Sequence, residues 1–324
     1  MNREVLSKYD VMTVGEAIGI SLPEETNIIN SRRHELNMVF NFDAVRLNRA
    51  DGYTEKAWTL PDLKAIYDNH ARVLGKTDWD TVFLSNHDNP RMVSNFGDDS
   101  TPEFRIRSAK LLETMLLTLR GTPFLYQGDE LGMTNYPFTR LDQFNDIEVK
   151  NAYKAKVLTG TMPEAQFIAE SHRFGRDNAR TPMQWSAAPN AGFTTGAATP
   201  WLAINPNYTS INAADELANP DSVYHYTQHA IALHHQDLAL VYGNYRDLDP
   251  TNLQVYAYTR TLTVPGKPVQ RFLVVLNFGE KPVDYTLPDG VKAGKLLLAN
   301  VPGTTEAGST TLHLNAWDAR IYTY

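Results

Sequence analysis

The sequence predicts an α/β fold, with parallel strands and crossover helices followed by a small all-β domain. Three observations carry this. Apolar strands alternate with amphipathic helices through the first half. Two strands end in an acid, Glu16 and Asp88, which is how an α/β barrel presents catalytic groups. Beyond about residue 246 the hydrophobic period changes to two.

Val11 to Glu16 reads as the first strand and Asn37 to Phe42 as the second. Pro61 to Leu74 is a helix, with Pro in its first turn and Gly75 just past its end. Thr81 to Ser85 is a third strand. Glu103 to Arg120 is a long helix, with Leu112, Met115, Leu116 and Leu119 at helical spacing. Thr122 to Tyr126 is a fourth strand. The β-α-β-α-β order implies parallel strands. Residues 133–220 are rich in Asn, Pro, Gly and Thr, and so long a connection predicts a site cover or small helices. Asp221 to Leu240 returns to a helical pattern. From residue 246, Leu253, Val255 and Ala257 alternate with Gln254, Tyr256 and Tyr258. Phe272–Phe278, Lys295–Leu298 and Thr311–Tyr324 are further strands, with Pro-Gly and Asp-Gly turns between them. The predicted domains are 1–245 and 246–324.

Composition narrows the function. The chain has 324 residues and a net charge of -7 with no basic block, which argues against nucleic acid as a partner. It has no cysteine, so disulfide and thiolate chemistry are excluded. No apolar run approaches the roughly 18 residues of a membrane span. Met1 to Leu6 does not read as a signal peptide, which predicts a cytoplasmic location for the chain as it stands and leaves a periplasmic one open for a longer form.

Candidate chemistry clusters in four segments, each with a bland alternative. Glu16 lies in Val-Gly-Glu-Ala, where a solvated loop acid is the ordinary reading. Asn86-His87-Asp88 either positions a polar ligand or caps a turn. Gly121-Thr-Pro-Phe-Leu-Tyr-Gln-Gly-Asp-Glu-Leu-Gly-Met-Thr-Asn135 is an apolar strand breaking into a polar loop. Arg176-Asp-Asn-Ala-Arg-Thr-Pro-Met-Gln-Trp185 brings two arginines beside an aromatic, and Arg176 either forks onto hydroxyls and acids or makes a structural pair with Asp. His225 and His229 have i, i+4 spacing but no third ligand, so no metal is predicted.

These four segments, in this order, resemble the α-glucosidase branch of the α-amylase family, glycoside hydrolase family 13. The closing Leu314-Asn-Ala-Trp-Asp-Ala-Arg-Ile-Tyr322 is similar to the end of that family's C-terminal β-domain. The resemblance implies the C-terminal half, strands five to eight, of a TIM (β/α)8 barrel followed by a small all-β sandwich domain. It makes Glu16 the general acid/base and Asp88 the transition-state stabiliser, with His87 and Arg176 binding the sugar. A finer resemblance is to sucrose isomerases, which carry an Arg-Leu-Asp-Arg-Asp loop after strand six that handles the fructosyl unit. Here the loop reads Arg46-Leu47-Asn48-Arg49-Ala50, keeping both arginines as substrate-binding candidates but neither acid. Arg32 to Met38 and Val241-Tyr242-Gly243 also resemble that group.

The family's retaining mechanism also needs an Asp nucleophile, in a Gly-Phe-Arg-x-Asp motif after strand four, and no such motif occurs here. Nor does the calcium-binding loop near strand one, so no cofactor is expected. The resemblance therefore implies a truncated retaining α-glucosidase acting on short α-glucosides, inactive by itself, with the missing half-barrel or self-association as its macromolecular partner. A sucrose isomerase fragment and a non-catalytic sugar- or partner-binding half-barrel are the alternatives.

Overall fold

A computed structural model describes residues 1–75, 77–304 and 307–324. Its first part holds four short parallel strands in two pairs. β1 (Val14–Glu16) is followed by α1 (Leu22–Ile29), β2 (Met38–Phe40), α2 (Leu60–Leu74) and β3 (Thr81–Val82). Then come α3 (Met92–Phe96), α4 (Pro102–Thr118) and β4 (Thr122–Pro123). β1 pairs in parallel with β2, placing Glu16 opposite Phe40, and β3 pairs in parallel with β4. The pairs abut: Thr81 Oγ1 donates to Val39 O at 2.9 Å.

Helix ends follow local chemistry. α1 opens with Ser21, whose N and Oγ both donate to Glu24 Oε2 at 2.8 and 2.7 Å. α2 opens the same way through Thr59 and Asp62 and stops at Gly75, whose φ of 58° suits glycine. α4 is capped by Thr101 Oγ1, which accepts from Phe104 N at 3.1 Å.

The strands are shorter than the apolar runs predict. Ahead of β1, Val11 and Met12 are exposed, and Thr13 N donates to Asn37 Oδ1 instead of to a neighbouring strand. β4 covers only Thr122–Pro123, and Phe124 N still donates to Val82 O at 2.9 Å before the chain leaves β3. The helix predicted over Asp221–Leu240 is two, broken at Asp237. In the loop-rich stretch lie α5 (Ile147–Lys156), α6 (Glu164–Phe174), α7 (Asp177–Arg180) and α8 (Ala213–Ala218), and the broken pair follows as α9 (Val223–Gln236) and α10 (Leu238–Tyr242).

The remaining strands are β5 (Asn244–Asp247), β6 (Val255–Leu262), β7 (Gln270–Asn277), β8 (Val283–Thr286), β9 (Leu296–Ala299), β10 (Thr311–Leu314) and β11 (Ala319–Thr323). They form an antiparallel sheet in the order β5-β6-β7-β11-β9 and a separate β8-β10 pair. The single strand predicted over Thr311–Tyr324 divides because Asn315 N donates to Asp318 Oδ2 at 2.9 Å and Trp317 takes a φ of 52°. β5 and β8 were not expected: Asn-Tyr-Arg-Asp and Val-Asp-Tyr-Thr are too short and polar to show a period.

One apolar core crosses the residue-245 boundary. Leu111, Leu112 and Met115 of α4 share a cluster with Val82 and with Tyr256, Val274, Leu276 and Ile321 of the antiparallel sheet. Two buried cations reinforce the junction. Lys64 Nζ donates to the carbonyls of Asp249, Asn252 and Val255 at 2.9, 2.9 and 2.7 Å. Arg260 donates to Thr118 O at the end of α4, and to Val241 O and Gly243 O at the end of α10, at 3.1 and 3.0 Å for the latter two. Burial pushes the Arg260 guanidinium down to about 10.

A third buried charge-bearing group has no such partner. The Glu113 carboxyl of α4 is fully buried and neither oxygen makes a hydrogen bond. Burial, with Asp129 and Glu130 nearby, raises its pKa well above the ordinary value. The folded state thus binds this proton more tightly than the unfolded chain, and the stability it contributes is lost as pH rises above the unfolded value of about 4.5. We expect Glu113→Gln to raise the urea midpoint at pH 8 more than at pH 5. Equal midpoints for variant and parent at both pH values would contradict this.

Candidate active site

β1 delivers Glu16 at its C-terminal end because Gly15 lets the strand lie close to its neighbours. A Cβ at Gly15 would sit 2.7 Å from Leu36 Cδ1 and 3.3 Å from Val39 Cγ1. Glu16 is exposed and walls a cavity of about 400 Å3. Asn86 and His87, which follow β3, wall the same cavity, as do Ser85 and Tyr126. Its apolar side is aromatic: Phe40 meets Phe83 and Phe124 edge-on at 5.3 and 4.7 Å, and Phe42 meets Phe83 at 5.7 Å. A pocket with one apolar side and a few convergent polar groups suits a small polar ligand with apolar faces.

The Asn86–Asn89 segment is an Asx turn. Asn86 Oδ1 accepts from Asp88 N at 2.8 Å and from Asn89 Nδ2 at 2.6 Å. Turn-capping and ligand-positioning are therefore compatible readings of one motif. His87 Nε2 lies 3.3 Å from Asp88 Oδ2. Asp88 is not itself a wall of the cavity; it sits behind His87, facing two guanidiniums. Arg176 Nη1 is 3.3 Å from Asp88 Oδ1, and Arg180 Nη2 donates to the same oxygen while its Nε donates to His87 O at 2.8 Å.

Arg176 makes the Asp pair its sequence allows and is not a wall of the cavity. It forks onto Asp146, Nη2 to Oδ1 at 2.7 Å and Nε to Oδ2 at 2.8 Å, and meets Glu148 Oε1 at 3.1 Å as well as Asp88. The Asp146 bonds, with the neighbouring carboxylates, push its pKa further up against the opposing effect of burial. Asp146 is held in turn: its N and that of Asn145 donate to Asp177 Oδ2 at 2.9 and 2.7 Å, and its Oδ1 caps α5 by accepting from Glu148 N at 2.9 Å.

Asp146 was not singled out from sequence; its only local signal is that of an N-cap. Asp129, beneath the cavity, was likewise missed. It accepts from Ser85 Oγ, and burial raises it to about 6.

The two loop arginines part company. Arg46 is exposed, its guanidinium 5.1 Å from the ring centre of Phe42, a cavity wall. Arg49, expected to bind substrate, is buried and does not wall the cavity. Its Nη2 donates to Val45 O at 3.2 Å and to Asn89 Oδ1, and its Nη1 to Phe174 O at 3.4 Å. Burial, with Arg46 nearby, lowers it to about 10. Of the two histidines at metal-like spacing, His225 places its Nε2 3.1 Å from Leu217 O. No helix among the described residues is long and apolar enough to cross a membrane.

Compared with known proteins, residues 1–243 match the Alpha-amylase family, described as the alpha amylase catalytic domain. The chain is 41% identical over 326 aligned residues to an oligo-1,6-glucosidase of Parageobacillus thermoglucosidasius, covering 99% of this chain and 56% of the relative. It is 44% identical over 250 residues to an alpha-glucosidase of Pediococcus pentosaceus, covering 76% of this chain and 44% of the relative. Among solved structures it superposes with a TM-score of 0.94 and 46% identity on an isomaltulose synthase variant of Erwinia rhapontici NX5 in complex with its natural substrate sucrose, covering 99% of this chain and 57% of that one. A trehalulose synthase variant gives the same TM-score of 0.94 and identity of 46%, over 100% of this chain and 57% of that one. The chain thus spans about half the length of the curated relatives it matches.

The ion cluster makes a direct prediction. The Asp146 side chain is wholly buried and pairs with an Arg176 that is largely so. Asp146→Ala leaves that guanidinium under-paired and is expected to cost about 3 kcal/mol in urea unfolding. A loss below about 0.5 kcal/mol would mean that Asp88 and Glu148 hold Arg176 without it.

Proposed function

The chain belongs to the α-amylase family, and on that premise we propose that it carries the acid/base half of a retaining α-glucosidase-type site acting on short α-glucosides. The observation that carries the reading is the shared cavity: Glu16, at the end of one parallel strand, and His87, beside Asp88 after another, face one space. In this reading β1–β4 are strands five to eight of a (β/α)8 barrel within residues 1–245, and 246–324 form the C-terminal β-domain. The parallel pairing and the superposition on just over half of barrel-length relatives support it.

The chemistry of this reading combines the groups present with one from outside residues 1–324. Glu16 gives its proton to the glycosidic oxygen as the C–O bond breaks. A carboxylate from outside residues 1–324 takes the anomeric carbon as a glycosyl ester. Glu16 then removes a proton from the water that releases the sugar. Asp88 offers negative charge to the oxocarbenium-like transition state, in a position set by Arg176 and Arg180. His87 contacts sugar hydroxyls, Arg176 acts on the sugar through Asp88, and Arg46, over Phe42 at the rim, faces the leaving group. Carboxylates supply their own acid and base, so the reading calls for no cofactor. The complementary half of the barrel is the macromolecular partner it requires.

A second reading is sucrose isomerisation, in which the glycosyl ester passes to another hydroxyl of the fructose instead of to water. It is favoured by the 46% identity to an isomaltulose synthase solved with sucrose and by the retained Arg46.

The test is reconstitution. The 324-residue chain alone should not turn over an aryl α-glucoside. Mixed with the part of the Parageobacillus thermoglucosidasius relative outside the matched region, it should, and Glu16→Gln should lower that rate by about 100-fold to 10,000-fold. Turnover by the chain alone, abolished by Glu16→Gln, would overturn the claim that a carboxylate must come from elsewhere. On sucrose, glucose with fructose marks hydrolysis; isomaltulose or trehalulose marks isomerisation.

A further inference from the structure

Arg49 joins three segments: the loop after β2, the turn after β3 and the end of α6. It emerges from the loop after β2, where its Nη2 donates to Val45 O at 3.2 Å, four residues back. The same nitrogen donates to Asn89 Oδ1, in the turn that carries Asp88. Its Nη1 donates to Phe174 O at 3.4 Å, two residues before Arg176, and its guanidinium carbon lies 5.9 Å from the Phe174 ring centre. From Asn89 the connection continues inward. Asn89 Nδ2 donates to Asn86 Oδ1 at 2.6 Å, and that oxygen also accepts from Asp88 N at 2.8 Å. Asn89 is fully buried, so its carboxamide has no water to turn towards.

We propose that Arg49 is a positioning residue for Asp88: by fixing the Asn89 carboxamide on one side and the Phe174 carbonyl on the other, it sets the register between the Asp88 turn and the Arg176 segment. A guanidinium suits this task. Its planar fork sends bonds in fixed directions, and it stays charged when buried against carbonyl and amide oxygens. An ammonium carries no such fork, and an apolar chain of equal length would leave Asn89 Oδ1 and Phe174 O without their donor. The proposal rests on the reading of Asp88 as part of the sugar site for its kinetic consequence, but not for its structural one.

The experiment pairs both readouts. Arg49→Met and Arg49→Lys are made in the 324-residue chain and their crystal structures determined, with urea unfolding as the check on folding. In folded Arg49→Met, Asp88 is expected to leave Arg176 and Arg180, and Arg49→Lys to restore part of the contact. In the reconstituted enzyme, Arg49→Met should lower kcat by about tenfold to a hundredfold with KM changed less than about twofold, and Arg49→Lys should recover part of the loss. A folded Arg49→Met with Asp88 still on both arginines and kcat unchanged overturns the proposal. Should Arg49→Met not fold, Asn89→Ala removes a single link and is held to the same two readouts. An inactive reconstituted parent overturns the proposed function, while the crystal structures still decide the role of Arg49.

Discussion

Arg176 faces three carboxylates at once, Asp88, Asp146 and Glu148, and the rest of the site takes its shape from that meeting. Asp146 and Glu148 belong to the start of α5, whereas Asp88 belongs to the turn after β3. The guanidinium therefore fastens the long loop region onto the strand ends. Its planar geometry matters, since two parallel bonds to Asp146 fix its plane and leave Nη1 pointing at Asp88. Arg180 then reaches the same Asp88 oxygen and the His87 carbonyl, so the exposed imidazole is anchored from behind.

Behind this cluster the parallel pairs explain why Glu16 and His87, distant in sequence, share one cavity. Parallel strands end on the same side, so whatever follows β1 and β3 emerges together. The strands themselves are only two or three residues long, too short to hold such an arrangement by ladder bonds alone. The rigidity comes from α4, packed with β3 on one side and the antiparallel sheet on the other, and from aromatic contacts that stitch β2 to the segments after β3 and β4.

Much of this was legible in the sequence, and the failures have physical causes. The helix at 60–74 announced itself through Pro61, its apolar spacing and Gly75, all local signals. Glu16, His87 and Arg176 sit in distinctive segments; the fold brings Glu16 and His87 to one cavity, while Arg176 is not among its walls and meets Asp88 instead. Asp146 was illegible because a helix N-cap and an arginine's partner look identical until the loop folds back thirty residues later. Arg46 and Arg49 have equal chemistry in one loop, and burial separates them only through contacts with Asn89 and Phe174, which no local pattern shows. The strands at 11–16 and 122–126 were read too long because apolar residues continue past the point where a paired neighbour ends.

The junction between the helices and the antiparallel sheet has an electrical character unlike that of the site. Arg260 gives its hydrogen bonds to carbonyls that close two helices, α4 and α10, where peptide dipoles concentrate partial negative charge. It is solvated by backbone and, among its hydrogen bonds, uses no mobile carboxylate. Ions in solution have little access to such a contact, since salt screens exposed charges far more than buried ones. The pairs around the exposed Glu148 face the solvent and remain open to that screening. Ionic strength is therefore a dial that reaches the outer rim of the Arg176 cluster while leaving the joint between the two parts of the molecule untouched.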